Sequence, residues 1–216
     1  MRDSIVIDCP EFEFARCGQR SSAASVARLL HPSCAIMGMT DGSFSLIDLL
    51  VAIVNEIGAC DVQVVSFTVG LKHAALAHHI VRRGLFRNFK LVIDAGYPSI
   101  HPQYVEKIVD LFGVDALRVT KTHAKFALLS NADWSVVVCT SMNLNENRRI
   151  ESFQIFDNKA IHTFHSRLID SSFALTPPGI TGGPASTHAA TTAFFEGTES
   201  CNDLISVDTP LISDFD

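Results

Sequence analysis

The sequence predicts an α/β domain, a mixed β-sheet flanked by helices, followed by a disordered C-terminal tail. Three observations predict it. Between residues 34 and 172, short β-rich runs alternate with amphipathic helical stretches, the pattern of strands covered by helices. The second half of that region holds four strand-like runs in close succession, so part of the sheet is expected to be antiparallel. Beyond residue 172 the text TPPGITGGPASTHAATT is rich in Pro, Gly, Ser and Thr, a composition that buries too little apolar surface to order a chain.

Residues 1–33 are weakly patterned and read as an N-terminal extension. Within it, 21–30 is rich in Ala and Leu and suits a short helix ended by Pro32. The domain spans 34–172. Phe44, Leu46, Ile47, Leu50, Val51, Val54 and Ile57 recur at helical spacing. Asp41 or Ser43 can cap that helix, and Gly58 closes it. Val62, Val64, Val65, Phe67 and Val69 form a β-rich run. A helix over 71–83 ends at Gly84, a short buried strand covers 89–93, and a second amphipathic helix over 102–112 stops at Gly113. Strand-like runs follow at 117–120, 124–129, 135–139 and 152–156. The pair flanking the turn text SNAD (130–133) reads as a hairpin. A last helix covers about 158–170. Residues 173–216 form a flexible acidic tail. Its end, LISVDTPLISDFD, alternates apolar and acidic residues, which suits either a solubilising tail or a peptide that docks on a protein partner.

Hydrophobic residues make up 47% of the 216 and charged residues 19%, enough for a sizeable core. No apolar run reaches the roughly 18–20 residues of a membrane span; the most apolar stretch, 44–57, is interrupted by Asp48, Asn55 and Glu56. The opening text MRDSIVIDCPEFEF carries acids where a secretion signal carries bases. Six cysteines (9, 17, 34, 60, 139, 201) form no CxxC pair, which argues against finger-type zinc sites and against a disulfide framework. A reduced, cytoplasmic protein without metal or cofactor is expected. The net charge of −6 equals the six acids of the tail, which has no Lys or Arg, so the body is balanced. Its bases cluster at Arg82, Arg83, Arg87 and Lys90, at Arg118, Lys121 and Lys125, and at Arg148 and Arg149. Such patches are compatible with a phosphate-bearing ligand without demanding one.

The segment that carries chemistry runs from Thr122 to Phe156. His123-x-Lys125 opens one expected strand, Ser141-x-Asn143 follows the end of the next, and Glu151 stands at the start of a third. A hairpin brings neighbouring strand ends together, so the five side chains can converge at one edge of the sheet. Their chemistry suits phosphoryl transfer. A neutral histidine nitrogen is available as nucleophile near pH 7. Lysine balances charge on the non-bridging oxygens, and asparagine and serine donate hydrogen bonds to them. A carboxylate can hold the histidine tautomer. His-x-Lys and Ser-x-Asn are weak signals singly; their order, each at a strand end, is the informative part.

This ordered set resembles the HxK…S-x-N…E signature of the phospholipase D superfamily, in particular its single-motif, nuclease-like members from bacteria and phages. The similar stretch covers about 40–170 and includes TDGSFSLIDLL, SFTVG, RVTKTHAKFALL and TSMNLNENRRIESF. The resemblance implies a phospholipase D-like fold and an active site made from two HxK motifs. This chain has one, so a homodimer whose motifs meet across a two-fold axis is implied. It further implies that His123 attacks phosphorus and that His123 of the second copy acts as acid and then base. Lys125 and Asn143 would bind phosphate oxygens, Ser141 would support them, and Glu151 would orient a histidine. No metal is required. The implied activity is that of a phosphodiesterase, foremost a nuclease; the alternative is a weak or inactive module that binds phosphate, nucleic acid or protein. Two positions motivate that alternative. The family has an acid five residues after the lysine, here Ser130, and a glycine before the serine, here Thr140.

Other tempting residues have simpler readings. His73, His78-His79 and His162-x-x-His165 lack the further ligands a zinc site needs. Cys139 reads as a buried strand thiol rather than a nucleophile. Trp134 and Phe126 read as core or hairpin cover, and Asp94 and Asp115 as loop or cap residues.

Overall fold

A computed structural model of the chain describes residues 13–15, 22–146, 148–179 and 183–199. Among them, eight strands form one mixed sheet. In chain order these are β1 (Glu13–Ala15), β2 (Cys34–Thr40), β3 (Cys60–Ser66), β4 (Phe86–Asp94), β5 (Leu117–Thr120), β6 (Phe126–Ser130), β7 (Ser135–Thr140) and β8 (Glu151–Asp157). They lie side by side as β1-β2-β8-β7-β6-β3-β4-β5. The pairs β1–β2, β3–β4 and β4–β5 are parallel. The four pairings between β2 and β3 are antiparallel. The helices are α1 (Ala23–Ala27), α2 (Leu46–Ile57), α3 (Leu71–Arg82), α4 (Tyr97–Ile100), α5 (Pro102–Phe112), α6 (Lys159–Leu175) and α7 (Pro184–Glu199). No helix among the described residues is long and apolar enough to cross a membrane.

The central strands read as continuous apolar runs because both faces are covered. Val64, Leu91, Ile93, Ala127, Leu129, Val136 and Val138 face one core with α1, α2, α3 and α5. Val65, Val92, Phe126, Leu128 and Val137 face the other, against Ile161 and Ile169 of α6. Period-2 alternation thus sends successive side chains into two different cores rather than into core and water.

Local chemistry fixes the ends. The expected hairpin forms, with Ser130 opposite Ser135. Helix α2 starts later than expected: Ser45, not Asp41 or Ser43, is its N-cap, and Ser45 and Asp48 satisfy each other's backbone N–H groups in a capping box. Gly58 closes it at φ +81°, a conformation that L side chains adopt with strain. Gly38 answers a packing need instead. An added Cβ would stand 2.4 Å from Phe153 Cζ on the neighbouring strand.

Two boundaries move. Residue 33 does not separate a distinct body, because β1 pairs with β2 and Ala23, Val26 and Ala27 of α1 enter the same core as α2. The tail does not begin at 173. Helix α6 runs on to Leu175 with Ser172 fully buried, and α7 covers text expected to be unstructured. Thr187 and Ala190 of α7 are buried, and Phe194 packs on Phe164 of α6 at 5.6 Å. A Pro, Gly and Thr content that forbids an isolated helix is overridden by that packing. The stretch LISVDTPLISDFD, with its expected docking role, lies outside the described residues.

Candidate active site

The sheet register gathers the candidate residues at one end. Val65 pairs with Phe126, Phe126 with Cys139, Thr140 with Phe153, and Thr40 with Glu151. Consequently β2, β3 and β7 finish where β6 and β8 begin, and β4 finishes beside β3. Carboxyl ends of parallel strands are the usual crevice for ligands in open α/β sheets.

His123 and Lys125 precede β6 in a loop rather than opening the strand. The Lys125 backbone carbonyl accepts from Thr140 N at 3.1 Å, which ties this loop to the end of β7. Lys125 Nζ donates to the His123 carbonyl at 2.6 Å and lies 3.2 Å from His123 Nδ1. An ammonium can only donate, so the contact fits an unprotonated Nδ1. The His123 ring is exposed and packs on Phe67, with centroids 4.7 Å apart; Lys125 Nζ is 5.4 Å from the same Phe67 ring. Burial pulls the Lys125 ammonium below its usual range, and the carboxylates of Glu151 and Asp94 pull it back up.

Ser141 and Glu151 are joined directly, Ser141 Oγ donating to Glu151 Oε2. Ser141 Oγ also accepts from Ser152 N at 2.9 Å. Glu151 is buried and Ser141 exposed, so a buried carboxylate fixes a hydroxyl at the surface. Asn143 uses its Oδ1 to accept from Thr68 N at 3.2 Å. Its amide nitrogen is the end suited to donate to an anion. The two loops run together beyond that point. Ser66 Oγ accepts from Leu144 N at 2.9 Å, Gly70 N donates to the Leu144 carbonyl at 2.8 Å, and Asn145 Nδ2 donates to Thr68 Oγ1 at 2.9 Å. The approach at Gly70 is close, since a Cβ there would stand 3.2 Å from that of Asn145.

His123 and Lys125 therefore form one contact group and Ser141 and Glu151 a second. Asn143 reaches the first through Thr68 and Phe67. The contacting residues Phe67, Thr68, Asn145 and Asp94 were not expected in the site. The available signal was the polar text following the β-rich run at 62–69. Ser130, by contrast, stands at the far end of β6 opposite Ser135 and Asp61, about 17 Å along the strand from Lys125. Its side chain does not enter this end of the sheet. Cys139 has its thiol pushed up to about 11 by burial and its Sγ lies 3.5 Å from His165 Nε2, so it is poorly ionised. His73 is buried in the larger core's helix layer, and His78 packs edge-on against Phe112. No cluster of three or more His, Cys, Asp or Glu suited to a metal occurs among the described residues.

Neither a family model nor a curated protein matches the chain. Several solved structures are similar to it. One is a phospholipase D family member. This is Nuc from Salmonella typhimurium, 16% identical, with a TM-score of 0.47, covering 67% of this chain and 96% of that one. NucT from Helicobacter pylori is 15% identical, with a TM-score of 0.42, covering 65% of this chain and 96% of that one. Polyphosphate kinase from Porphyromonas gingivalis is 12% identical, with a TM-score of 0.46; the match covers 70% of this chain but 27% of the kinase.

Proposed function

We propose that this chain is a phosphodiesterase of the phospholipase D superfamily, acting as a metal-independent nuclease in a homodimer. The observation that carries the reading is the exposed His123 ring with Lys125 Nζ 3.2 Å away, at the sheet end that also holds Ser141, Asn143 and Glu151. A ring nitrogen of His123 attacks phosphorus. The P–N bond forms as the bond to the leaving oxygen breaks, and His123 of the partner subunit gives that oxygen its proton. The partner histidine, now neutral, takes a proton from water, whose oxygen displaces the nitrogen and frees the phosphate product. Lys125 and Asn143 offset the charge that builds on the equatorial oxygens. Glu151 holds Ser141 in place and supports the charge of Lys125. One chain offers one His123, while the attack and the protonation need two histidines; an isologous dimer supplies the second. The exposed Lys121, Arg148 and Arg149 near these loops suit a polyanion, which favours nucleic acid as substrate.

The test is cleavage in EDTA of single-stranded DNA, duplex DNA, RNA and a bis-aryl phosphodiester, wild type against His123→Ala. Metal-independent cleavage lost in the variant, with phosphate trapped on His123 after acid quench, is expected. Cleavage that survives the substitution would overturn the mechanism. A folded dimer that binds phosphate but cleaves none of these substrates would make the chain a binding module instead.

A further inference from the structure

We propose that Asp94 is the positioning carboxylate of this site, fixing the backbone of the loop that carries His123 and Lys125. Its catalytic consequence rests on the phosphodiester reading; its physical part does not. Asp94 is the last residue of β4 and pairs with Thr120, the last of β5. Both of its carboxylate oxygens are used. Oδ1 accepts from Gly96 N at 2.8 Å, and Oδ2 accepts from Thr122 N at 3.1 Å. The first bond closes an ordinary turn leading into α4. The second does something the turn does not need, because it reaches across to the connection between β5 and β6, one residue before His123.

That connection lacks a ladder of its own. Residues 121–125 belong to no strand or helix, and their shape is set by few bonds. Thr122 Oγ1 accepts from Ala124 N at 3.1 Å, the Lys125 carbonyl is held by Thr140 N, and Thr122 N is held by Asp94. Asp94 thus pins the loop's entry as Thr140 pins its exit. The half-buried carboxylate lies close to the turn, since a Cβ on Gly96 would lie 3.0 Å from Oδ1. The turn that follows Asp94 leads into α4, which braces the other side of the site. The Tyr97 hydroxyl donates to the Val69 carbonyl, in the loop whose Phe67 packs on His123. The groups around the Lys125 ammonium are the His123 ring, the Phe67 face, and the charges of Glu151 and Asp94.

The experiment compares the full chain with Asp94→Asn and Asp94→Ala. The Asn variant is nearly isosteric, removes the charge and keeps one acceptor; the Ala variant removes both acceptors. Two readouts do not depend on activity. Amide exchange at Thr122 should quicken roughly tenfold or more in Asp94→Ala, as expected on losing a bond to a charged acceptor. The Lys125 Nζ titration, followed by NMR, should move to lower pH in Asp94→Asn, because less negative charge favours the neutral amine; a purely structural role would leave it in place. In cleavage assays kcat should fall on the order of a hundredfold in Asp94→Ala, with a smaller change in KM. The alkaline limb of the Asp94→Asn pH profile should shift down. An unchanged Thr122 exchange rate or an unchanged Lys125 titration overturns the proposal, whatever the cleavage data say. If both shift while the wild type cleaves no phosphodiester, Asp94 positions the loop as stated and the phosphodiester reading falls.

Discussion

At Thr140 one hydroxyl holds two parts of the site. It donates to the Ser152 carbonyl at 2.8 Å and accepts from Met142 N at 3.0 Å, while its backbone N–H binds Lys125. Thr140, one of the two departures from the resembled signature, is therefore a staple between β7, β8 and the turn that carries Ser141 and Asn143. Thr140→Val keeps the shape and removes the hydroxyl. It leaves Met142 N seeking a partner, at a cost of about 1 kcal/mol, while the Ser152 carbonyl keeps the Ser141 N–H at 3.0 Å. Urea unfolding should register that loss, and phosphodiester turnover should fall further than stability alone explains because the turn that carries Asn143 loses its hold on Thr140. Equal stability and turnover in the variant would show the hydroxyl to be idle. Ser130, the other departure, has no such leverage, since it lies at the opposite end of β6 beside Asp61.

Among the elements, α6 and α7 carry the clearest expectation. Truncation after Ser172 removes Phe173, which packs on the smaller core and lies under the Arg118 guanidinium at 4.4 Å. It also removes the Gly179 N–H bonds to the Val114 and Leu117 carbonyls and all of α7. Burial lost on that scale is worth roughly 3 kcal/mol, so the thermal midpoint should drop by about 6–12 °C; an unchanged midpoint would mean that these helices do not cover the sheet in solution. The sequence text hid this because α7 draws its order from Ala190 and Phe194 meeting α6, not from an apolar stripe. Strand β2 was hidden for a related reason. Its first half is buried but Met37 and Met39 face out, and Gly38 between them is explained only by Phe153 across the ladder. By contrast, β5 at 117–120 and the β6–β7 hairpin were legible, being apolar or β-branched runs bounded by turn text. The site divides the same way. His123, Lys125, Ser141, Asn143 and Glu151 stand out as an ordered set within one segment. Thr68, Asn145 and Asp94 join them only through contacts across many residues of chain, which local spacing does not encode.

For the molecule as a whole, a buried histidine on one face of the sheet and two half-buried ones on the other make stability depend on pH. His73 lies in the helix layer of the larger core, and burial lowers its pKa, against a smaller upward pull from Asp48 and Glu146. On the opposite face, burial lowers His162 and His165 of α6, with His165 further depressing His162 and the Ile161 carbonyl partly restoring His165. Each is held neutral in the fold and has an ordinary pKa when unfolded. Stability is therefore complete above about pH 6.5 and is lost as pH falls toward the lowered folded values, because the unfolded chain takes up protons that the folded chain does not. Three such groups give a slope of at most about 4 kcal/mol per pH unit. Urea unfolding at pH 7.5, 6.0 and 5.0 should show this fall, and it should flatten in a His162→Gln, His165→Gln variant. A flat profile in the wild type would mean that these rings titrate in the fold as they do in water. The acid loss should reach the site as well as the core. His165 rests edge-on against Phe126 at 4.9 Å and touches Cys139, and Phe126 directly follows Lys125. A charge placed on His165 therefore acts on the β6–β7 pair, whose first residue Phe126 follows the loop that carries His123.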